Sequence, residues 1–308
     1  MHTANKIGLG IITCDRPAGL QKALTSLTCE RLDRVVVVND GAPVSPEILR
    51  EAGRGRAELV QNESNLGVGK SKNRALRHLL QAGMDHLFLM EDDIFVKDGR
   101  VFEQYVKAAR ITGIQHLNFS QHGPNNKDPK GKADPVTTVD YGPLRIALHR
   151  HCVGAFSYYS RHCLEAVGLM DEDLYNAGEH LEHTYQIIRA GLHPPFWFFA
   201  DVDRSEELLG DEQWSKSQSV IASRADQAEL ARRSDALFQA KLGHTVGRIP
   251  VAEKRVVMGA LKKIQRRFGK KGGISLRATG SWQAQLRRRN LWEKLRDRLR
   301  KAWSSTSG

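Results

Sequence analysis

The sequence predicts an α/β protein built on a mostly parallel, doubly wound sheet, with a helical, basic C-terminal extension. Three observations carry this. Short apolar runs alternate with segments of helical spacing from residue 7 to about residue 200. Val35–Val38 is four consecutive β-branched residues, the mark of a strand buried on both faces. Charge is segregated: Val251–Gly308 hold 17 Lys+Arg against three acids, a local balance of +14, which leaves −2 on the rest of a chain whose total is +12.

Each element follows in order. Ile7–Thr13 is an apolar strand, and Asp15-Arg16-Pro17 supplies a cap and a proline at a helix start. Leu20, Ala23, Leu24 and Leu27 recur at helical spacing. The strand Val35–Val38 stops at the turn Asn39-Asp40-Gly41. Ile48–Ala52 reads as helix, Glu58–Gln61 as strand, and Gly69–Ala82 as a helix with Ala75, Leu76, Leu79 and Leu80 inward. Leu87–Met90 is a fourth strand, Val101–Thr112 a helix and Leu117–Ser120 a strand. His122–Lys132 is too rich in Gly, Pro and Lys for a core and predicts a long mobile loop, a candidate lid. Leu144–Leu148, Ala155–Tyr159 and Phe196–Ala200 read as strands, and Arg161–Val167, Leu181–Ala190 and most of Ser215–Leu242 as helices. The expected division is 1–210 for the sheet domain, 211–250 for a helical segment packed on it, and 251–308 for the basic tail.

Composition narrows the classes. Hydrophobic residues make up 40% and charged residues 27%, the balance of a soluble globular protein. No run approaches the roughly 20 apolar residues of a membrane span. Cys14, Cys29, Cys152 and Cys163 lack CxxC spacing and read as reduced thiols of a cytoplasmic protein.

The chemistry concentrates at strand ends. Glu91-Asp92-Asp93 closes the strand at 87–90, and ligands of open α/β sheets bind outside such ends. Three adjacent acids repel one another unless a cation joins them. Oxygen ligands suit Mn²⁺ or Mg²⁺, which usually serve substrate phosphates. The alternative is a solvated acidic turn. Thr13–Pro17 follows the first strand, Asp40 ends the second, and Asn65–Asn73 opens a helix, where backbone N–H groups attract anions. Gly178-Glu179-His180-Leu181-Glu182 opens another.

The order of these motifs, with Gly154-Ala155-Phe156, Arg161, Gly168–Glu172 and Arg189-Ala190-Gly191, resembles the GT-A nucleotide-sugar transferases, Rossmann-like in fold, and glycosyltransferase family 2 in particular. The resemblance covers about residues 7–200. It implies transfer of a sugar from a nucleoside-diphosphate sugar, a UDP-sugar favoured, to a saccharide or lipid-linked acceptor, with inversion, in surface polysaccharide or glycolipid assembly. It implies donor contacts at Thr13, Arg16, Asp40, Asn65, Gly67, Lys72, Asn73, Glu91 and Asp92, and metal ligation by Asp93, then Asp92. Glu179 or Glu182 would be the general base. Because the second acid of the usual Glu-Asp pair is His180 here, His180 stays open for that role. His193, Asp201 and Asp203 are further metal candidates, and Trp197 with its neighbouring phenylalanines would either stack a sugar or fill the core.

Two other readings compete. Ser64–Ser71 is close to a Walker A loop, with Ser64 in place of its first glycine, which would make a P-loop ATPase or kinase. The basic tail on a degenerate fold would make a non-catalytic nucleic-acid or partner-binding module, though no nucleic-acid motif accompanies it. In the tail, Val257, Leu261, Ile264 and Phe268 share one apolar face among Lys and Arg, and Trp292, Leu295, Leu299 and Trp303 share another. Such helices predict contact with an anionic membrane surface, peripheral on the inner face of the plasma membrane, or docking on the body or a partner chain.

Overall fold

The computed structural model describes residues 5–28, 31–51, 57–175, 178–212, 227–270 and 278–279. The chain runs β1 (Ile7–Thr13), α1 (Pro17–Thr25), β2 (Arg34–Asn39), α2 (Pro46–Glu51), β3 (Ala57–Gln61), α3 (Val68–Gln81), β4 (His86–Glu91), β5 (Ile94–Val96), α4 (Val101–Thr112) and β6 (His116–Asn118). It continues through β7 (Thr137–Asp140), β8 (Arg145–His149), β9 (Phe156–Ser160), α5 (Arg161–Val167), α6 (Glu179–Arg189), β10 (Phe199–Val202), β11 (Leu209–Asp211), α7 (Gln227–Leu242), α8 (Lys254–Phe268) and β12 (Ala278–Thr279).

The main sheet has the order β3-β2-β1-β4-β9-β6. It is parallel from β3 to β4, and β9 runs antiparallel between β4 and β6. Period-2 alternation divides its side chains between two cores. Leu9, Ile11, Val35, Val37, Phe88 and Met90 face the layer of α1, α4 and α8, while Ile12, Val36, Val38, Leu87 and Leu89 face that of α3 and α5. The chain winds from β1 out to β3 and returns to β4 on the other side of β1. The carboxyl ends of β1 and β4 therefore flank the reversal point, where a crevice opens.

Two smaller sheets complete the fold. The antiparallel order β10-β8-β7-β12 lies beyond the main sheet, and β11 pairs with β5. Sequence periodicity does not predict β5, β7, β11 or β12, each only two to four residues long and stabilised by pairing with distant strands. The expected strand at Phe196–Ala200 begins at Phe199 instead, because Trp197 adopts a positive φ of 72° that ends extended pairing there.

The loop predicted as a lid is fastened at its base. Asn126 is fully buried; its amide donates to the Ser120 and His151 carbonyls, and its oxygen accepts the His151 N–H. Lys130 and Lys132, near its tip, stay exposed.

The tail needs a correction at its first helix. Val257, Leu261 and Ile264 of α8 are buried in the same core as α4, so this apolar face docks on the body and is closed to a membrane. Burying that stripe beside Ala108 and Ala109 removes it from water more fully than a bilayer interface would. The Ile249 carbonyl, accepting from Trp197 Nε1 at 2.8 Å, and the Arg110 carbonyl, accepting from the Lys270 N–H at 2.9 Å, fix the two flanks. The cations of α8, Lys262, Lys263, Arg266 and Arg267, face outward. Trp292, Leu295, Leu299 and Trp303 lie outside the described residues. Among described residues no helix is long and apolar enough to cross a membrane.

Leu261→Ala is therefore expected to lower unfolding free energy by about 2–5 kcal/mol, the range for a buried leucine. A fall in the urea midpoint at unchanged slope would register it. A surface-helix leucine would shift the midpoint little.

Candidate active site

The site grows from the end of β4. Thr13, at the end of β1, donates its hydroxyl to Asp92 Oδ2 at 2.7 Å, a bond that spans the reversal point of the sheet. Arg16, on the turn into α1, places its guanidinium 3.1 Å from Asp92 Oδ1 and 3.7 Å from Asp93 Oδ2. Thr13, Arg16, Asp92 and Asp93 thus meet as the sequence implies. Burial pushes the Asp92 carboxyl up to about 7, against the pull of Arg16 and Thr13. Burial, and then the neighbouring Glu91, raise Asp93 as well. Two carboxyls held this way ionise fully only when more positive charge arrives, and a divalent cation supplies it.

The residues present fit such an ion. Asp93 Oδ1 is buried with no hydrogen-bond partner. His122 brings Nε2 to 3.9 Å from Asp93 Oδ2, and its Nδ1 lies 3.7 Å from Asp211 Oδ2. Asp211 arrives through the β5–β11 pairing, where it opposes Ile94, and the Glu212 N–H bonds the Asp93 carbonyl at 2.8 Å. Asp93 and His122 thus bring a carboxylate and an imidazole together, with Asp211 beyond the ring outside hydrogen-bond distance. Among described residues no ready cluster of three or more His, Cys, Asp or Glu forms. Phosphate oxygens would complete the shell, as they do for ions that serve diphosphates. Sequence reasoning missed His122 and Asp211, because no local spacing links residues 93, 122 and 211.

A second chain of contacts leads inward. Lys72 is 1% exposed. Its ammonium lies 2.7 Å from Glu91 Oε1, 3.1 Å from Glu179 Oε1 and 3.1 Å from the Gly154 carbonyl. Burial opposes that charge, but Glu91 and Glu179 outweigh it and hold the ammonium well above the usual lysine range. All three protons are committed to protein oxygens, where the sequence implied a diphosphate contact, and Lys72 ties the acid row to α6. Glu179 is buried too, yet Lys72 and then His180 hold its carboxyl well below the carboxylate range. A carboxylate so stabilised is a weak proton acceptor, which counts against it as the base. Its Oε1 lies 3.2 Å from Nδ1 of His180, whose ring is 27% exposed. The ring packs flat against Gly154, where a Cβ would stand 2.7 Å from His180 Cγ, so only glycine admits it. Glu182 is buried, accepts from Gln186 Nε2 at 2.8 Å and lies 3.9 Å from Lys241 Nζ.

Other expected donor contacts turn to structural work. Asp40 is buried: Oδ1 accepts from Asn62 Nδ2 at 2.6 Å and the Leu66 N–H at 2.8 Å, and Oδ2 from the Gly67 N–H at 2.8 Å. Gly67 has φ 87°, a conformation that favours glycine, and starts α3 from this turn. Two amides of the Walker-like loop at 64–71, those of Leu66 and Gly67, are thus taken by a carboxylate and not left for a phosphate. Asn73 exchanges hydrogen bonds with the Met170 backbone and donates to Glu172, holding that turn instead of a nucleotide. Asn65 remains near the crevice, donating to Cys14 Sγ at 3.4 Å and accepting from the Tyr175 hydroxyl at 2.8 Å.

Three further candidates are engaged by protein partners. His193 is buried between the Pro194 carbonyl and the Ala200 N–H. Asp201 is fully buried and receives Tyr105, Ser205 and the Ser120 and Val202 N–H groups. Asp203 pairs with Arg145 at 2.8 Å. Phe196, Phe198 and Phe199 are core residues, and Trp197 is bound to Ile249.

Residues 9–115 match the family model described as glycosyl transferase family 2. The uncharacterized glycosyltransferase R363 of Acanthamoeba polyphaga mimivirus is 24% identical over 208 residues, 66% of this chain and 77% of that protein. Galactofuranosyltransferase GlfT1 of Mycobacterium tuberculosis is 28% identical over 197 residues, 59% of this chain and 64% of that protein, so the match spans under two-thirds of its length. Among solved structures, the mannosyltransferase PcManGT from Pyrobaculum calidifontis in complex with GDP-Man and Mn²⁺ superposes with a TM-score of 0.51 at 15% identity. That superposition covers 86% of this chain and 70% of the other, a likeness of fold.

The Lys72 cluster yields a test. Lys72→Met leaves the buried Glu179 and the half-buried Glu91 without their cation and is expected to cost about 3–5 kcal/mol at neutral pH. Glu179 has a depressed folded pKa, so in the wild type its contribution is present above the unfolded value near 4.3 and is lost as pH falls through the folded one. In the variant the carboxyl loses that depression and protonation relieves it, so the stability gap should narrow as pH falls toward about 4. Urea unfolding across pH measures this; a gap constant with pH would refute the pairing.

Proposed function

We propose that this GT-A glycosyltransferase of family 2 transfers a sugar from a nucleoside-diphosphate donor to an acceptor hydroxyl, with His180 as the general base and inversion at the anomeric carbon. One observation carries the proposal: the contacts Glu91–Lys72–Glu179–His180 run without a break from the acid row to a partly exposed imidazole. With Nδ1–H donated to Glu179, the other ring nitrogen of His180 presents a lone pair to an acceptor hydroxyl, and the carboxylate steadies the imidazolium that follows. Glu179 is then the positioning residue. Asp93, with His122 beside it, would hold a divalent cation, Mn²⁺ or Mg²⁺, which supplies positive charge for a departing diphosphate. Arg16 adds a fixed guanidinium at the same place. The hydroxyl attacks from the face opposite the leaving group, so one displacement inverts the configuration.

The donor class rests on the family and on the GlfT1 relative, which makes a galactofuranosyl donor a first choice beside the common UDP- and GDP-sugars. The outward cations of α8 support a peripheral setting on an anionic, cytoplasmic membrane face, where a glycolipid or polysaccharide acceptor would be met.

His180→Gln should cut turnover by about 10²–10⁴-fold, the usual effect of losing a general base, while donor binding stays near wild type. Glu182→Gln is the control. A dead Glu182→Gln beside a near-normal His180→Gln would move the base to Glu182, two residues along α6. Asp93→Asn should abolish the Mn²⁺-dependent part of nucleotide binding measured by calorimetry; binding unaltered by the substitution would remove Asp93 from the metal site.

A further inference from the structure

A cavity of about 250 Å³ opens at the opposite end of the sheet from the acid row. His86, at the start of β4, lines it, while Asp93 lies just past the end of the same strand. At 3.3 Å per residue they are about 20 Å apart. The cavity is too large to be explained as a single water site.

Its lining is strongly cationic. Arg31, Lys107, Arg110 and Lys270 surround it, and Glu103 is the one acid in the lining, paired with Arg31 at 3.2 Å. These cations come from the loop before β2, from α4 and from the end of α8. Lys107 and Arg110 stand three residues apart on α4, where like charges repel. Among described residues neither they nor Lys270 meets a carboxylate at ion-pair distance. His86 supplies the second observation. It is 8% exposed, its Nδ1 lies 2.9 Å from the Tyr158 hydroxyl, and its Nε2 is buried with no partner. Burial and Arg110 push its pKa down to about 4, so the ring is neutral at physiological pH. When the Tyr158 hydroxyl donates to Nδ1, the single ring proton sits on Nε2. An N–H left unbonded in such a place costs about 1–3 kcal/mol, so the ring that lines the cavity carries an unmet donor.

We propose that this cavity is an anion site for a phosphate group, held by Lys107, Arg110 and Lys270 with the Nε2–H of His86 at its inner wall. Phosphate suits it because a compact dianion offers several acceptor oxygens to donors arriving from separate elements. The site is independent of the transfer reaction, and its test uses no turnover.

The test is calorimetric titration of the full chain with inorganic phosphate, in EDTA to strip divalent ions from the catalytic crevice. Wild type and Asp93→Asn should bind alike. Lys107→Ala/Arg110→Ala should bind about tenfold or more weakly, the order expected for lost charge-assisted hydrogen bonds. Its melting temperature in phosphate-free buffer should not fall, since two repelling charges are gone. His86→Phe, which removes the inner N–H, should weaken binding by a smaller factor. Phosphatidylcholine vesicles with and without phosphatidic acid identify the source. If the double variant also loses binding to phosphatidic acid, the phosphate is a lipid headgroup; if only free phosphate is affected, it is a soluble metabolite or ion. Equal phosphate affinity in wild type and double variant, or loss in Asp93→Asn alone, would overturn the proposal.

Discussion

One buried ammonium organises the catalytic half of the molecule. Lys72 sits where α3, the end of β4, the start of β9 and α6 converge, and each contributes an oxygen to it or stands beside one that does. Desolvating a lysine is expensive, and the cost is met only because Glu91 and Glu179 are both ionised against it. The arrangement is mutual: neither carboxylate would tolerate its place without the lysine. The acid row and the start of α6 are thereby held in one fixed relation.

The rest of the crevice follows from topology. Because the connections after β1 and β4 lead to opposite sides of the sheet, a gap is left above their carboxyl ends. The Thr13–Asp92 bond closes that gap at its floor, and Arg16 reaches over it. The β5–β11 ribbon then carries Asp211 under His122, so a residue on a long polar loop is aimed at Asp93 from outside the main sheet.

Much of this was legible in the chain. Four consecutive valines could only be an interior strand, and the acid triplet after an apolar run marked the working end of β4. Thr13, Arg16, Asp92 and Asp93 come together in the structure, and each follows a strand that periodicity identifies. The expected donor contacts whose groups have protein partners share a cause. Lys72, Asn73 and Asp40 carry the right groups at the right turns, but whether such a group faces a ligand or the protein depends on partners far along the chain: Glu179 for Lys72, Met170 for Asn73, Leu66 and Gly67 for Asp40. The same holds for α8, whose amphipathic pattern fits a membrane surface and a docked helix equally. Packing against α4 decides the matter, and no local pattern encodes that contact.

The Asp40 contacts carry one more implication. By accepting the N–H groups of Leu66 and Gly67, that carboxylate finishes the turn before any ligand is present. A flexible loop must surrender conformational freedom when it closes on a guest, and the guest's affinity is reduced accordingly. Here the protein has already made that surrender in folding. Molecules reaching the crevice meet a wall of settled shape on this side, so discrimination among them falls to size and contour rather than to their capacity to order the chain.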